Sequence, residues 1–239
     1  MPSSPRLSPP PPSSSSAPAG REALSRERVV AAAVAIADAD GLGAVTMRRV
    51  AADLHCEAMS LYHHVPSKDA LLAALADEVL RQVAQATATV TAPAWDAAVR
   101  GRCLAARDVM LRHPWAPGLV AAQTTSPPSV WPVYEQLVGT LAEAGFDDDL
   151  AHRAIHALGS MLLGFSRELF EPDGDTLAPD PGGTAAVGDD LPNLARMAAS
   201  VVHETDGALS VCDTRAEFEF TLDLVLGGLD RHRLARSGA

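Results

Sequence analysis

The side chains best suited to chemistry are crowded into residues 46–72, TMRRVAADLHCEAMSLYHHVPSKDALL, where hydroxyls, cations, imidazoles and a phenol alternate with aliphatic positions. Val50, Ala51 and Leu54 make an apolar stripe at helical spacing, and Leu61 and Val65 make a second one, four residues apart. Between them lies a three-residue linker, His55-Cys56-Glu57, with Cys56 where a small apolar residue would plug the gap between two short helices. Helices joined in this way form a helix-turn-helix, which presents its second helix to the major groove of DNA. On spacing alone an ordinary helical hairpin fits as well. A different chemistry is suggested by His152 and His156, whose i, i+4 spacing can hold a metal ion. No HExxH carboxylate or third ligand accompanies them, so surface or core histidines are the plainer reading. A metal-dependent helical enzyme built on this pair would also lack an evident nucleophile or acid–base pair.

Helices must position all of these groups. Alanine dominates a chain with only 4% aromatic residues, a composition that favours helix over strand and predicts an all-α protein. Ser25 is placed to cap a first helix, RERVVAAAVAIADAD, with Val29, Ala33, Ile36 and Ala37 on one face and Gly41 and Gly43 at its end. Thr46 caps a second helix, a third spans residues 58–64, and Val65-Pro66 stops it because a residue before proline avoids the helical region. Ser67 then caps a fourth, KDALLAALADEVLRQVAQ. Longer helices are expected over residues 95–112, 116–123, 133–144, 149–170, 192–205 and 214–233, with a Gly- and Pro-rich loop over 172–190. Residues 1–22 are Pro/Ser-rich and read as a disordered tail. The pattern divides into a compact module over residues 23–85 and a larger helical domain over 90–236.

Charge complicates a nucleic-acid reading. The chain carries 19 basic and 30 acidic side chains, a net charge of −11, and residues 21–85 hold seven basic against nine acidic groups. DNA phosphates demand cations, but a few near the duplex suffice while the rest of the chain is acidic. Binding would then rest on a handful of Lys and Arg and be strongly salt-sensitive. Three scattered cysteines (Cys56, Cys103, Cys212) suit a reducing, cytoplasmic setting and no disulfide framework. The N-terminus lacks the apolar core of a signal peptide, and no apolar run reaches membrane-spanning length.

The string LYHHV followed by SKDALL resembles the signature of the TetR family, in which Leu-Tyr-x-His-Phe/Val precedes a Lys-x-x-Leu-Leu helix start. Gly41, Leu42, Thr46, Arg48, Ala51 and Leu54 match the pattern upstream of it. The likeness covers residues 25–80 and departs at two places: His55 replaces the usual glycine and Glu57 the usual Ser or Thr. Further on, WPVYEQLVGTLAEAGF, AIHALGSMLLGFSRELF and FEFTLDLVLGGLDR look like the helical ligand-binding half of the tetracycline-repressor subclass.

That resemblance implies a transcriptional repressor that binds palindromic double-stranded operator DNA as a homodimer and is released by a small-molecule inducer, with no cofactor. It implies that Thr46 reaches a phosphate and that Arg48, beside Arg49, reads a guanine. Ala58, Met59 and Ser60 would meet base edges, Tyr62 and His63 the backbone, and Lys68 a phosphate. For Met59 the plain alternative is a core methionine. In the second half the resemblance implies a ligand pocket, for which Arg102, Met110, Trp131, Tyr134, Leu137, Ser160 and Phe165 are the candidates. Ala121 and Ser160 stand where the tetracycline repressor holds its drug's metal ion with histidines, so metal-tetracycline is not the expected ligand. Phe218, Leu222, Val225, Leu226 and Leu229 form a stripe that is either core or, as the resemblance implies, a four-helix dimer interface, with Gly227-Gly228 permitting close approach. A chain that kept this fold as an interaction module without DNA binding is the remaining reading, which the acidic balance leaves open.

Overall fold

The computed structural model describes residues 23–165, 191–193, 196 and 214–237, and every regular element among them is helical. The expected tail over 1–22 and loop over 172–190 lie outside the described residues, as does most of the helix expected over 192–205.

The three capping residues act as their sequence positions predict. Ser25 accepts from the Arg28 amide at the start of α1 (Arg26–Asp40), and Thr46 from the Arg49 amide at the start of α2 (Met47–Asp53). Ser67 accepts from the Ala70 amide at the start of α4 (Lys68–Ala88). Each satisfies a first-turn amide that has no partner within its helix, worth about 1 kcal/mol. Gly41 ends α1 at a φ of 79°, a left-handed conformation that glycine adopts without a Cβ clash. Between α2 and α4, α3 (Ala58–Leu61) is shorter than the sequence suggests. The amides of His64 and Val65 both fold back onto the Leu61 carbonyl, so the chain leaves the helix in tight turns before Pro66.

The second half contains α5 (Trp95–Arg112), α6 (Ala116–Ala121), α7 (Trp131–Glu143), α8 (Asp148–Gly164) and α9 (Thr214–Ser237). α7 begins two residues before its expected start. A 3-10 turn at Pro128–Val130 runs straight into it, and Pro132 is tolerated because first-turn amides need no intrahelical acceptor. α8 ends at Gly164, and residues 166–170 of the helix expected there lie outside the described residues.

Three cores hold these helices together. The first joins α1, α2, α3 and the front half of α4 through Val29, Ala33, Ile36, Val50, Leu61, Val65, Leu71 and Leu75. The second sets Val79, Leu80 and Val83, from the back half of α4, against Ala106, Val109 and Met110 of α5. The third lays α9 on α8. Here the expected dimer stripe is corrected: Phe218, Leu222, Leu226 and Leu229, none more than 7% exposed, pack on Leu150, Ala154 and Leu158 inside the same chain, with Val225 partly buried beside them. Helical spacing revealed one apolar face of α9 but not what covers it. The opposite face carries Phe220 and Leu224, which are 60% and 59% exposed. At the far end of α9 the Arg236 guanidinium grips Asp147, the N-cap of α8, and holds its carboxyl below the usual range; the grip persists through that range and is released only as pH falls below it.

One carboxylate ties the two halves together. Asp38, near the end of α1, accepts from Trp115 Nε1 at 2.7 Å and lies 2.7 Å from His113 Nδ1. The other imidazole nitrogen sits 3.1 Å from the Gln82 amide of α4, and His113 is buried. Removing the carboxylate strands two ring N–H groups. Asp38→Ala is therefore expected to lower the unfolding free energy in urea by about 2 kcal/mol, and an unchanged midpoint would contradict this role.

Candidate nucleic-acid interface and adjoining cavity

Burial of one face of α3 decides what its other face presents. Leu61 and Val65 are fully inside the first core, so Met59, two residues from Leu61, is 73% exposed, and Tyr62 is 42% exposed. Met59 is thus not a core methionine. His63 is exposed beside them, while Ala58 and Ser60 are half-buried at the start of the helix. Thr46 and Arg48 are exposed on α2, and Lys68 is exposed at the first position of α4. The two adjacent arginines differ in availability. Arg49 is held by Asp40 at 2.9 Å, whereas among the described residues neither Arg48 nor Lys68 has an ion-pair partner. Arg48 and Lys68 are free to meet phosphate or base without first giving up an intramolecular partner.

The linker between α2 and α3 explains the departure at position 55. His55 has a φ of 52°, in the left-handed region where glycine is unstrained. Its amide bonds to the Ala52 carbonyl and that of Cys56 to Ala51, closing the turn and placing the Cys56 side chain against the first core. The turn keeps its shape at the cost of a strained backbone.

Behind this surface, α4, α5, α7 and α8 line a partly open cavity of about 130 Å³. Arg102, Met110, Tyr134 and Leu137 line it, as anticipated, and three anticipated residues do not. Trp131 stands 58% exposed at the start of α7, edge-on to Tyr134. Ser160 points outward, because one helical step from the lining Gly159 turns a side chain by about 100°. Phe165 packs on Phe218 in the third core, with ring centroids 6.0 Å apart. Sequence reasoning missed the α4 wall of Leu80, Val83 and Thr87 and the α8 wall of Ile155, Gly159 and Leu162. The i, i+3, i+7 spacing of the α4 trio was a signal for a second inward face on that helix. Burial pushes the Cys103 thiol, also in the wall, up to about 12, so it stays neutral. His152 and His156 lie on the exposed side of α8 with ring centroids 4.6 Å apart, and no cluster of three metal-ligating side chains occurs among the described residues.

Comparison with known proteins gives a consistent likeness. Residues 29–75 match the family described as bacterial regulatory proteins, tetR family, and residues 91–233 match the tetracyclin repressor-like, C-terminal domain. The chain is 30% identical over 213 residues to the HTH-type transcriptional repressor DrrR1 of Streptomyces coeruleorubidus, spanning 87% of this chain and 77% of that protein. It is 30% identical over 185 residues to the tetracycline repressor protein class D of Escherichia coli, spanning 77% and 82%. Among solved structures, a possible TetR family transcriptional regulator from Streptomyces coelicolor A3(2) aligns with a TM-score of 0.69 at 29% identity, over 86% of this chain and 98% of that one. ActR from Streptomyces coelicolor, in complex with actinorhodin, aligns with a TM-score of 0.68 at 25% identity, over 88% and 99%.

The strain at position 55 makes a measurable difference. His55→Gly is expected to raise the unfolding free energy by about 0.5–1 kcal/mol, and His55→Val to lower it by at least as much, since a β-branched residue is least tolerant of positive φ. Urea titrations of both variants check the sign; a His55→Gly protein no more stable than the parent would remove the strain from the account.

Proposed function

The chain belongs to the TetR family of transcriptional regulators, with a DNA-binding helix-turn-helix and a tetracycline repressor-like C-terminal domain, and from that premise we propose that it is a homodimeric repressor released from its operator by a small ligand. Residues 23–85 form the DNA-binding domain in this reading, and residues 90–236 the ligand-binding and dimerisation domain. The observation that carries it is the exposure of Met59 and Tyr62 on a helix whose own core positions are already filled. Arg48 reads a base edge, Ala58, Met59 and Ser60 meet bases or thymine methyls, and Thr46, Tyr62, His63 and Lys68 hold the phosphate backbone, with Arg49 a weaker contributor because Asp40 restrains it. Two such helices about 34 Å apart in a dimer would match the half-sites of a palindrome.

The dimer forms through the outward face of α9, where Phe220 and Leu224 are exposed, in place of the stripe that the chain buries in its own core. Ligand acts by binding more tightly to a form whose recognition helices no longer fit both half-sites. The cavity between α4, α5, α7 and α8 is its site; the structurally similar ActR was crystallised with actinorhodin. No helix among the described residues is long and apolar enough to cross a membrane, and this reading puts the protein in the cytoplasm with its operator.

A gel-shift assay on the DNA upstream of the protein's own gene tests the reading. We expect a sequence-specific shift at low salt that weakens steeply as salt rises. Arg48→Ala should weaken it by about tenfold or more, and Arg49→Ala by less. Unchanged affinity in Arg48→Ala and Tyr62→Ala variants, or no specific shift, would favour an interaction module that keeps the fold without reading DNA, an option that the net charge of −11 supports. Phe220→Glu, placing a charge on the proposed dimer face, should convert the protein to monomer in sedimentation and abolish tight operator binding. A Phe220→Glu protein that stays dimeric would move the interface elsewhere.

A further inference from the structure

The cavity's chemistry is lopsided. Its walls are aliphatic along α4, α5 and α8, the Cys103 thiol in them is neutral, and the Thr87 hydroxyl already donates to the Ala84 carbonyl. Among the described residues, the one charged side chain in the lining is Arg102. A guanidinium stays protonated at any working pH, so the side chain that borders this apolar space carries a permanent cation.

Arg102 is also incompletely satisfied. Its Nη1 donates to the Thr140 hydroxyl and to the Gln136 carbonyl, the latter at 3.4 Å, both on α7. Its Nε is buried with no partner, and among the described residues no carboxylate lies within ion-pair distance of the side chain. The side-chain oxygen of Gln136, the residue whose carbonyl Arg102 already touches, is buried and unpartnered as well. Arg102 is half-buried and also borders the open cleft lined by Trp95, Thr140 and Glu143, so water reaches part of the side chain, but no acid among the described residues pairs with it. The neutral Thr140 and Gln136 contacts fix the fork in place without neutralising it, which leaves its geometry suited to an incoming planar anion.

Resting on the reading of this cavity as the ligand site, we propose that the effector is a small, largely apolar molecule with a single anionic group, its carboxylate or equivalent seated on Arg102 and its body against the aliphatic walls. The volume of about 130 Å³ is close to the roughly 150 Å³ that admits benzene in an engineered apolar cavity, so one ring of the ligand's body fits inside it in this conformation.

A matched pair of probes tests the charge requirement: 4-(trifluoromethyl)benzoate and its neutral carboxamide, titrated against the full chain and followed by fluorine NMR. The two share a body and a carbonyl acceptor and differ in charge. Wild-type protein should bind the carboxylate at least about tenfold more tightly than the amide. Arg102→Met, which keeps an unbranched stem without the charge, should bring the ratio close to one, and Arg102→Lys should restore part of it. Gly159→Leu, at a lining position where an added side chain has open space, should fill the cavity and weaken both probes. A carboxylate that fails to bind, or binds no better than the amide, overturns the anion requirement; if Gly159→Leu still removes amide binding, the cavity remains the ligand site. Preferential carboxylate binding that Gly159→Leu and Arg102→Met both leave untouched would place the anion elsewhere, and the cavity reading would fall with it.

Discussion

Helix α4 packs into two cores at once, and this double membership is the constraint on which the rest of the structure depends. Leu71 and Leu75 in its front half are sealed among α1, α2 and α3, while Val79, Leu80 and Val83 in its back half are sealed against α5. Its 21 residues contain neither glycine nor proline and span about 30 Å, so no weak point lets the two halves move independently. Close-packed interiors do not deform smoothly. A change in the wall that Leu80, Val83 and Thr87 give to the cavity must therefore either strain the second core or shift the helix that seats α3. The Asp38–His113–Trp115 contact adds a second tie between α1 and the α5–α6 corner, close to the point where the helix passes from one core to the other.

The binding surface shows how little charge such a design needs. An acidic chain presents two cations without an ion-pair partner among the described residues, Arg48 and Lys68, near an exposed methionine and tyrosine, and restrains a third, Arg49, with Asp40. In the proposed function, specificity comes from a few positioned groups and not from a basic field. The cavity follows the same economy, with one cation in an apolar wall.

Much of this was legible in the sequence, and the boundary of legibility is physical. Caps are local: Ser25, Thr46 and Ser67 each bond an amide three residues on, and their positions could be read without any tertiary information. The inward stripe of α2 and α3 was legible for the same reason, because hydrophobic periodicity over a few residues reports one buried face. What failed needed to know what lies opposite. The Phe218–Leu229 stripe is apolar and helical whether it meets its own chain or another, and only the packing on α8 decides. Ser160 and Gly159 differ by one helical step, which separates solvent from cavity. Residue 55 sits between these cases: the sequence showed a histidine where glycine is usual, and the backbone shows the positive φ that glycine would have relaxed.

The central claim is that the recognition surface and the cavity wall are coupled through α4, and coupling between two sites is reciprocal. Hydrogen–deuterium exchange of the full chain, with and without a bound operator fragment, tests this most directly. The account predicts that DNA slows exchange at residues 46–68 and also along the back half of α4, over residues 79–87, and in the facing part of α5. Protection confined to residues 46–68, with exchange over 79–87 unchanged, would contradict it.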